Sequence, residues 1–401
     1  MSTPDTNESR ARALVDAVNA AAGAGSAPVG VLTPLTGPGD PVAGELIVRG
    51  ACLGVEYLRT NGIADLTLVV QNDQYSAAQE GMQRSAVAGL AKLAMVDEVV
   101  AVVGQWHLRT AEHVTKTAEL LGVPIFVENG HNTITARQRR TLFRTYFSIA
   151  DRVPMIVDFL AEQKLTRLGI IAPDTVFGAT MAGTLQAVAT AAGFEILRLD
   201  FPQETTTDVR DELRQIKAFQ PDVLINCGVV RTNYMVIKQA TELGILPDTQ
   251  MLVMFPFPMR SEDYWKLAGA AGNHVVWPAT AYRPSWQGLT PIGQWFTQAY
   301  LDAYGSFPPD NALNAFTDIT VIGQALASSA AAEPEALVQS LEHGTFDTWR
   351  GPVSFERGPE HWHHSPPQFM LMQYQQVGQG FDDATVIYPE DVRTGDYVGP
   401  R

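Results

Sequence analysis

Two cysteines in 401 residues, Cys52 and Cys227, are too few and too far apart for a disulfide framework. One falls in a helical pattern and the other closes a strand pattern, so both read as small buried hydrophobes and leave the redox compartment open. Positive charge is scarce as well. Lysine and arginine number 28 against 43 acidic residues, a net charge of −15, and the longest basic run is the "RQRR" of Arg137 to Arg140. Such a field repels nucleic-acid phosphates and anionic membrane faces, which argues against both as partners. No apolar stretch approaches the roughly 20 residues that a membrane span requires. The first 27 residues lack a basic region followed by an apolar core, so they do not read as an export signal; either the signal was removed or the protein stays in the cytoplasm. There is no G-x-S-x-G elbow, no P-loop and no legible carboxylate pair. The glycines of "GAGSAPVG" precede the first strand, whereas a pyrophosphate would need them after it. The expectation is a protein that is not an enzyme and needs no cofactor.

What is present is an alternation. A hydrophobic share of 46% against 18% charged residues indicates a packed globular chain, and the length suggests two cores. From Pro28, short apolar runs at 28–32, 66–70, 99–104 and 123–127 alternate with helical periodicity at 45–59, 81–94 and 110–121, a βαβαβαβ array. A second array places strands at 167–172, 195–201, 222–228, 250–255 and 274–278, with helices near 152–163, 179–192, 208–219 and 231–243. After Pro278 come helices near 292–304, 312–329 and 333–341, then hairpin-forming strands around Gly, Pro and Asp turns. Helices arriving this late must pack on an earlier lobe, so the chain crosses between lobes more than once. The fold class is α/β with two Rossmann-like lobes and parallel central sheets.

In open α/β sheets, ligands bind beyond the carboxyl ends of strands. The segments to inspect are therefore "TPLTGPGD" with Thr36, "QWHLRT" with Trp106, His107 and Leu108, "ENGHNT" with Gly130 and His131, "VVRTNY" with Arg231, and "PFPMR" with Phe257. Trp106 either lines a pocket, as aromatic side chains commonly do, or caps the sheet end. His107 and His131 follow neighbouring strands; each alone reads as a hydrogen-bonded polar residue more readily than a catalytic one. The cluster "HWHH" at 361–364 lacks the partners and spacing of a closed zinc site and reads as a solvated turn, so no metal is expected.

The run "VGVLTPLTGPGDPVAGELIVRGACLGVEYL", followed by "VVGQWHLRTAEHVTKTAELLGVPIFVENGHN", "LFRTYFSIADR" and "FDTWRGPVSFERG", resembles the type I periplasmic binding proteins of the branched-chain amino acid, amide and urea group. These are the solute receptors of ABC importers. The resemblance runs from about Pro28 to the C-terminus. It implies two lobes joined by three crossovers and closing on a small solute. The lobes would be 28–146 plus 279–345 and 147–278 plus 346–401, after an extension at 1–27. It implies a periplasmic or cell-surface location and an ABC permease as partner. The solute contacts would fall on Trp106, His107 and Leu108, then on Gly130 and His131. Tyr146 and Asp151 lie in "YFSIADR", where Asp151 matches an acidic position of the family. The acidic residue that pairs with an amino acid's ammonium falls near Phe257, and phenylalanine cannot neutralise that charge. The implied ligand is a small polar, aromatic or aliphatic acid, an amide or an amino-acid-like molecule, and the missing acidic partner favours one without an α-ammonium; Arg231 is either a carboxylate partner or a solvent-facing helix-entry residue. A cytoplasmic sensor with the same fold, regulating a partner protein, is the alternative.

Overall fold

Val29, Val31, Ala101, Val102 and Val103 are wholly buried, because helices cover both faces of the sheet that carries them. The computed structural model describes residues 6–37, 40–74, 79–229, 231–255, 259, 263–285, 288–358 and 362–400. The chain divides into two units, 1–148 with 286–367 and 149–285 with 368–401, so it passes between them three times.

In the first unit α1 (Asn7–Asn19), β1 (Ala27–Thr33), α2 (Pro41–Thr60), β2 (Leu66–Asn72), α3 (Gln79–Met95), β3 (Ala101–Gln105), α4 (Leu108–Leu121), β4 (Ile125–Val127) and β5 (Leu142–Phe143) follow in order. Their strands form one sheet, β2-β1-β3-β4-β5, in which every pair is parallel. The second unit runs through α5 (Ile149–Glu162), β6 (Arg167–Pro173), α6 (Val176–Ala191), β7 (Glu195–Phe201), α7 (Arg210–Phe219), β8 (Val223–Asn226), α8 (Arg231–Glu242), β9 (Gln250–Val253), α9 (Tyr264–Ala268) and β10 (Val276–Thr280). The chain then returns to the first unit for α10 (Pro291–Tyr304), α11 (Asp310–Ala327), α12 (Pro334–His343) and the pairs β11 (Phe346–Thr348)–β12 (Gly351–Val353) and β13 (Glu356–Arg357)–β14 (Trp362–His364). It ends in the second unit with β15 (Phe369–Gln373) and β16 (Thr385–Tyr388), which complete a seven-stranded sheet, β16-β15-β10-β9-β8-β6-β7, with β15 antiparallel to both neighbours.

Two boundaries differ from those expected. Residues 346–367 belong to the first unit, not the second, because Phe346, Val353 and Phe355 complete the first core. The segment 1–27 is no mere extension, since α1 buries Ala11 and Val15 in the same core. Arg10 holds α1 to α2 through the buried Glu45, which Arg49 also meets at 2.6 Å. Burial alone would raise the Glu45 pKa, but these two guanidinium groups override it and keep the carboxylate below its usual range.

The tightest helix contact in the first unit is glycine-made. A β-carbon on Gly50 of α2 would lie 2.0 Å from the carbonyl oxygen of Ala312 in α11, and one on Gly54 would lie 2.7 Å from Ile319. In the second unit α6 starts on Thr175, whose hydroxyl accepts the Gly178 N–H at 3.0 Å. Thr175→Ala is expected to lower second-unit stability by about 1 kcal/mol, seen as a lower urea midpoint with an unchanged slope. Cys52 and Cys227 are buried, and burial pushes both thiols up to about 12. Among the described residues no helix is long and apolar enough to cross a membrane.

Candidate ligand-binding edge of the first sheet

At the carboxyl ends of the first-unit strands each exit is tied to its neighbour by side chains. Beside β1 and β2, the Asn72 amide donates to Thr36 Oγ1 at 2.7 Å, and Asn72 Oδ1 accepts the Leu35 N–H at 3.0 Å. The Thr36 hydroxyl in turn donates to the Gln74 carbonyl at 2.6 Å, so Thr36 is spent on holding two loops together. Between β3 and β4, Gln105 Nε2 donates to the His107 carbonyl and to Thr110 Oγ1, while Asn129 Nδ2 donates to Gln105 Oε1 at 2.6 Å. Beyond β5, Arg144 donates to the His131 carbonyl at 2.8 Å and to Thr135 Oγ1 at 3.2 Å, fixing the loop of Gly130 and His131. These ties make a firm rim, and firm rims preorganise sites.

Trp106 and His107 stand on that rim directly after β3. Trp106 is half-buried and packs against the first core, and its ring meets the His107 ring edge-on at 5.0 Å. Burial, reinforced by Arg109, lowers the His107 pKa to about 4, so the ring is neutral at physiological pH. Its Nε2 is shut off from solvent and has no hydrogen-bond partner among the described residues. His107 is the N-cap of α4 but provides no side-chain cap, unlike Asp40, Thr175 and Thr290 at the starts of α2, α6 and α10. At the start of α4 the backbone N–H groups of Leu108 and Arg109 therefore have no side-chain acceptor among the described residues, while the Thr110 N–H turns back to the His107 carbonyl at 3.3 Å. On the next exit, His131 is half-buried. Burial lowers its pKa, with Glu112 opposing the shift, and its Nδ1 accepts the Thr133 N–H at 3.3 Å. Tyr146 follows β5 with its ring 4.1 Å from that of Phe147, and its carbonyl accepts from His364 Nε2 at 2.9 Å.

The structure thus brings Thr36, Trp106, His107, Leu108, Gly130, His131 and Tyr146 to one edge of one sheet. Asp151 and Arg231 belong to the second unit, in the first turn of α5 and at the start of α8. Arg231 is exposed and lines a cavity with residues of α7, α8 and α9. Phe257 lies outside the described residues.

"HWHH" departs from the solvated turn expected of it. His363 and His364 are fully buried in β14 because that strand packs against β5. His363 Nδ1 donates to the Leu142 carbonyl, and its ring stacks on Phe143 at 4.3 Å. His364 Nδ1 faces the Arg144 guanidinium at 3.4 Å. His361 lies outside the described residues.

Sequence reasoning missed the buried acids of this edge. Glu128, the first residue after β4, is 1% exposed, and among the described residues neither carboxylate oxygen has a hydrogen-bond partner. Burial, then the charge of Asp318, raises its pKa well above the usual carboxylate range. Asp318 of α11 accepts the Thr145 hydroxyl at 2.5 Å; burial raises its pKa too, against the pull of that bond and of Arg350. The two therefore hold protons where isolated acids would not. Burial likewise pushes Asp73 up to about 7, partly offset by Gln74. Below about pH 4 the folded and unfolded forms both keep that proton; above it only the folded form does. Stability is therefore expected to fall as pH rises from about 4 to about 7, by up to ~1.4 kcal/mol per pH unit for this group. Asp73→Asn should remove that component, and urea midpoints measured at pH 4 to 8 for both proteins test it: parallel curves would refute the assignment.

Comparison with known proteins agrees with this architecture. A family model described as "Periplasmic binding protein" matches residues 26–379. The Leu/Ile/Val-binding protein homolog 8 of Brucella abortus (strain 2308) is 25% identical over 335 residues, covering 78% of this chain and 79% of that one. Among solved structures, the leucine binding protein LivK of Thermotoga maritima superposes with a TM-score of 0.74 at 16% identity, over 91% of this chain and 99% of that chain. An ABC transporter solute binding protein of R. palustris in complex with benzoate gives 0.70 at 20% identity, over 88% and 94%.

Proposed function

The chain belongs to the periplasmic binding protein family, and from that premise we propose that it is the solute receptor of an ABC importer, working outside the cytoplasmic membrane and delivering to a permease. Its solute is a small acid or amide with an aromatic or aliphatic body. One observation carries the choice of chemistry: the first turn of α4 has no side-chain cap and stands beside the neutral His107 and the half-buried Trp106. An acid or amide oxygen suits free N–H groups at a helix start, and an apolar body suits an indole face. The leucine and benzoate named for related receptors are both of this size. The family holds solute receptors and no catalytic chemistry is assigned to this edge.

The test is a thermal-shift panel of carboxylic acids, their amides and branched-chain amino acids, with titration calorimetry on each hit. A solute at a hundred times its Kd should stabilise the protein by about 2.7 kcal/mol. Trp106→Ala should weaken binding at least about thirtyfold, corresponding to a hot-spot loss of about 2 kcal/mol. Compaction on binding, the response the family resemblance implies, is read by small-angle scattering on the same samples. A panel with no hit and no compaction would sink the proposal.

A further inference from the structure

A cavity of about 580 Å3 lies in the second unit, lined by the approach to α7, one face of α8, and Leu267 of α9. Its volume is that of a small-molecule site. The composition of its wall is unusual for a chain with a net charge of −15. Arg231 and Lys238 stand seven residues apart on the outward face of α8, one above the other, with Tyr234 and Met235 between them. The opposite face of the helix buries Thr232, Val236, Ile237 and Ala240.

The charges around this wall are unevenly matched. Arg210 is paired with Asp208 at 2.9 Å and with Glu242 at 2.5 Å, so these three groups largely satisfy each other. Among the described residues Arg231 reaches only the Gln203 and Thr206 carbonyls, both at 3.4 Å, near the limit of a hydrogen bond. Among the described residues neither Arg231 nor Lys238 has a carboxylate within ion-pair distance. Between the two cations the wall is apolar: Tyr234 and Met235 are half-buried against the second core, and Leu267 is 52% exposed. A carboxylate attached to a compact apolar body matches both the two unpaired cations and the apolar wall between them.

We infer that this cavity is a second ligand site, for a small organic carboxylate whose head meets Arg231 and Lys238 and whose body lies on Tyr234, Met235 and Leu267. It is built from second-unit residues alone and does not depend on the solute proposed for the first sheet.

The experiment uses 3-phenylpropionate and its uncharged amide as probes, with methionine methyl NMR on the full chain and the Met235 resonance assigned by Met235→Leu. The acid should move the Met235 resonance saturably and the amide should not. Lys238→Ala should weaken the response at least about tenfold, and Lys238→Glu combined with Arg231→Glu should remove it while the melting temperature stays near that of the parent. Trp106→Ala should leave it intact, which separates this site from the first-unit edge. An unmoved resonance at millimolar acid, an equal response to the amide, or loss of the response in Trp106→Ala would each overturn the inference. So would a response confined to an acidic peptide, which would make this face a partner contact.

Discussion

Gly50→Val should cost the first unit about 3–5 kcal/mol, one of the largest losses any single substitution in the chain would cause. The new side chain would begin 2.0 Å from the Ala312 carbonyl oxygen, where α2 and α11 touch backbone to backbone. A carbonyl cannot swing aside as a flexible side chain can, so the helices must separate, and Gly54 against Ile319 loses its fit with them. For a unit of this size the melting temperature should drop by roughly 10 °C. Gly50→Ala should lose part of that, and adding Ala312→Gly should restore nothing, because the obstacle is main chain. Calorimetry decides it. A melting temperature within about 2 °C of the parent, or rescue by the double substitution, would show that the helices are not packed in this way.

Arg144→Ala should damage both stability and solute capture. Arg144 is 1% exposed; its guanidinium spans the His131 carbonyl and Thr135 Oγ1, while its backbone N–H donates to the His363 carbonyl. Removing it leaves the buried Thr135 hydroxyl and the part-buried His131 carbonyl without their donor, at an expected cost of about 3 kcal/mol. The loop carrying Gly130 and His131 loses its brace, so affinity for the solute should fall at least about tenfold in the protein that remains folded. Lysine should not substitute, since a single ammonium cannot reach both ends of the span. Urea titration and calorimetry on the Ala and Lys variants provide the check; a lysine variant equal to the parent in both would refute the bracing role.

Much of the fold was legible because buried parallel strands announce themselves as aliphatic runs. The strand expected at 195–201 is Glu195–Phe201, and the helix expected at 110–121 begins only two residues earlier, at Leu108. What failed was pairing at a distance. Phe346 and Val353 carry no local mark of which core they join, because three-residue strands have no period long enough to read, and Phe355 follows in a loop with no period at all. "HWHH" reads as a loop for the same reason: its neighbours in sequence suggest one, whereas Leu142, Phe143, Arg144 and Tyr146, more than 200 residues away, draw His363 and His364 inside. The edge itself was found through strand-exit logic. The acids beneath it were not, since a carboxylate in sequence reads as surface and Asp318 lies 173 residues from the Thr145 that binds it. A glutamate directly after a buried strand, as in "FVENG", was the available signal.

The two shielded thiols have a practical corollary. Buried, and with pKa values pushed up to about 12, neither offers a thiolate to a maleimide at neutral pH. One cysteine introduced on the surface would therefore take a fluorophore alone, and the chain could be turned into an optical reporter without first deleting anything it already has.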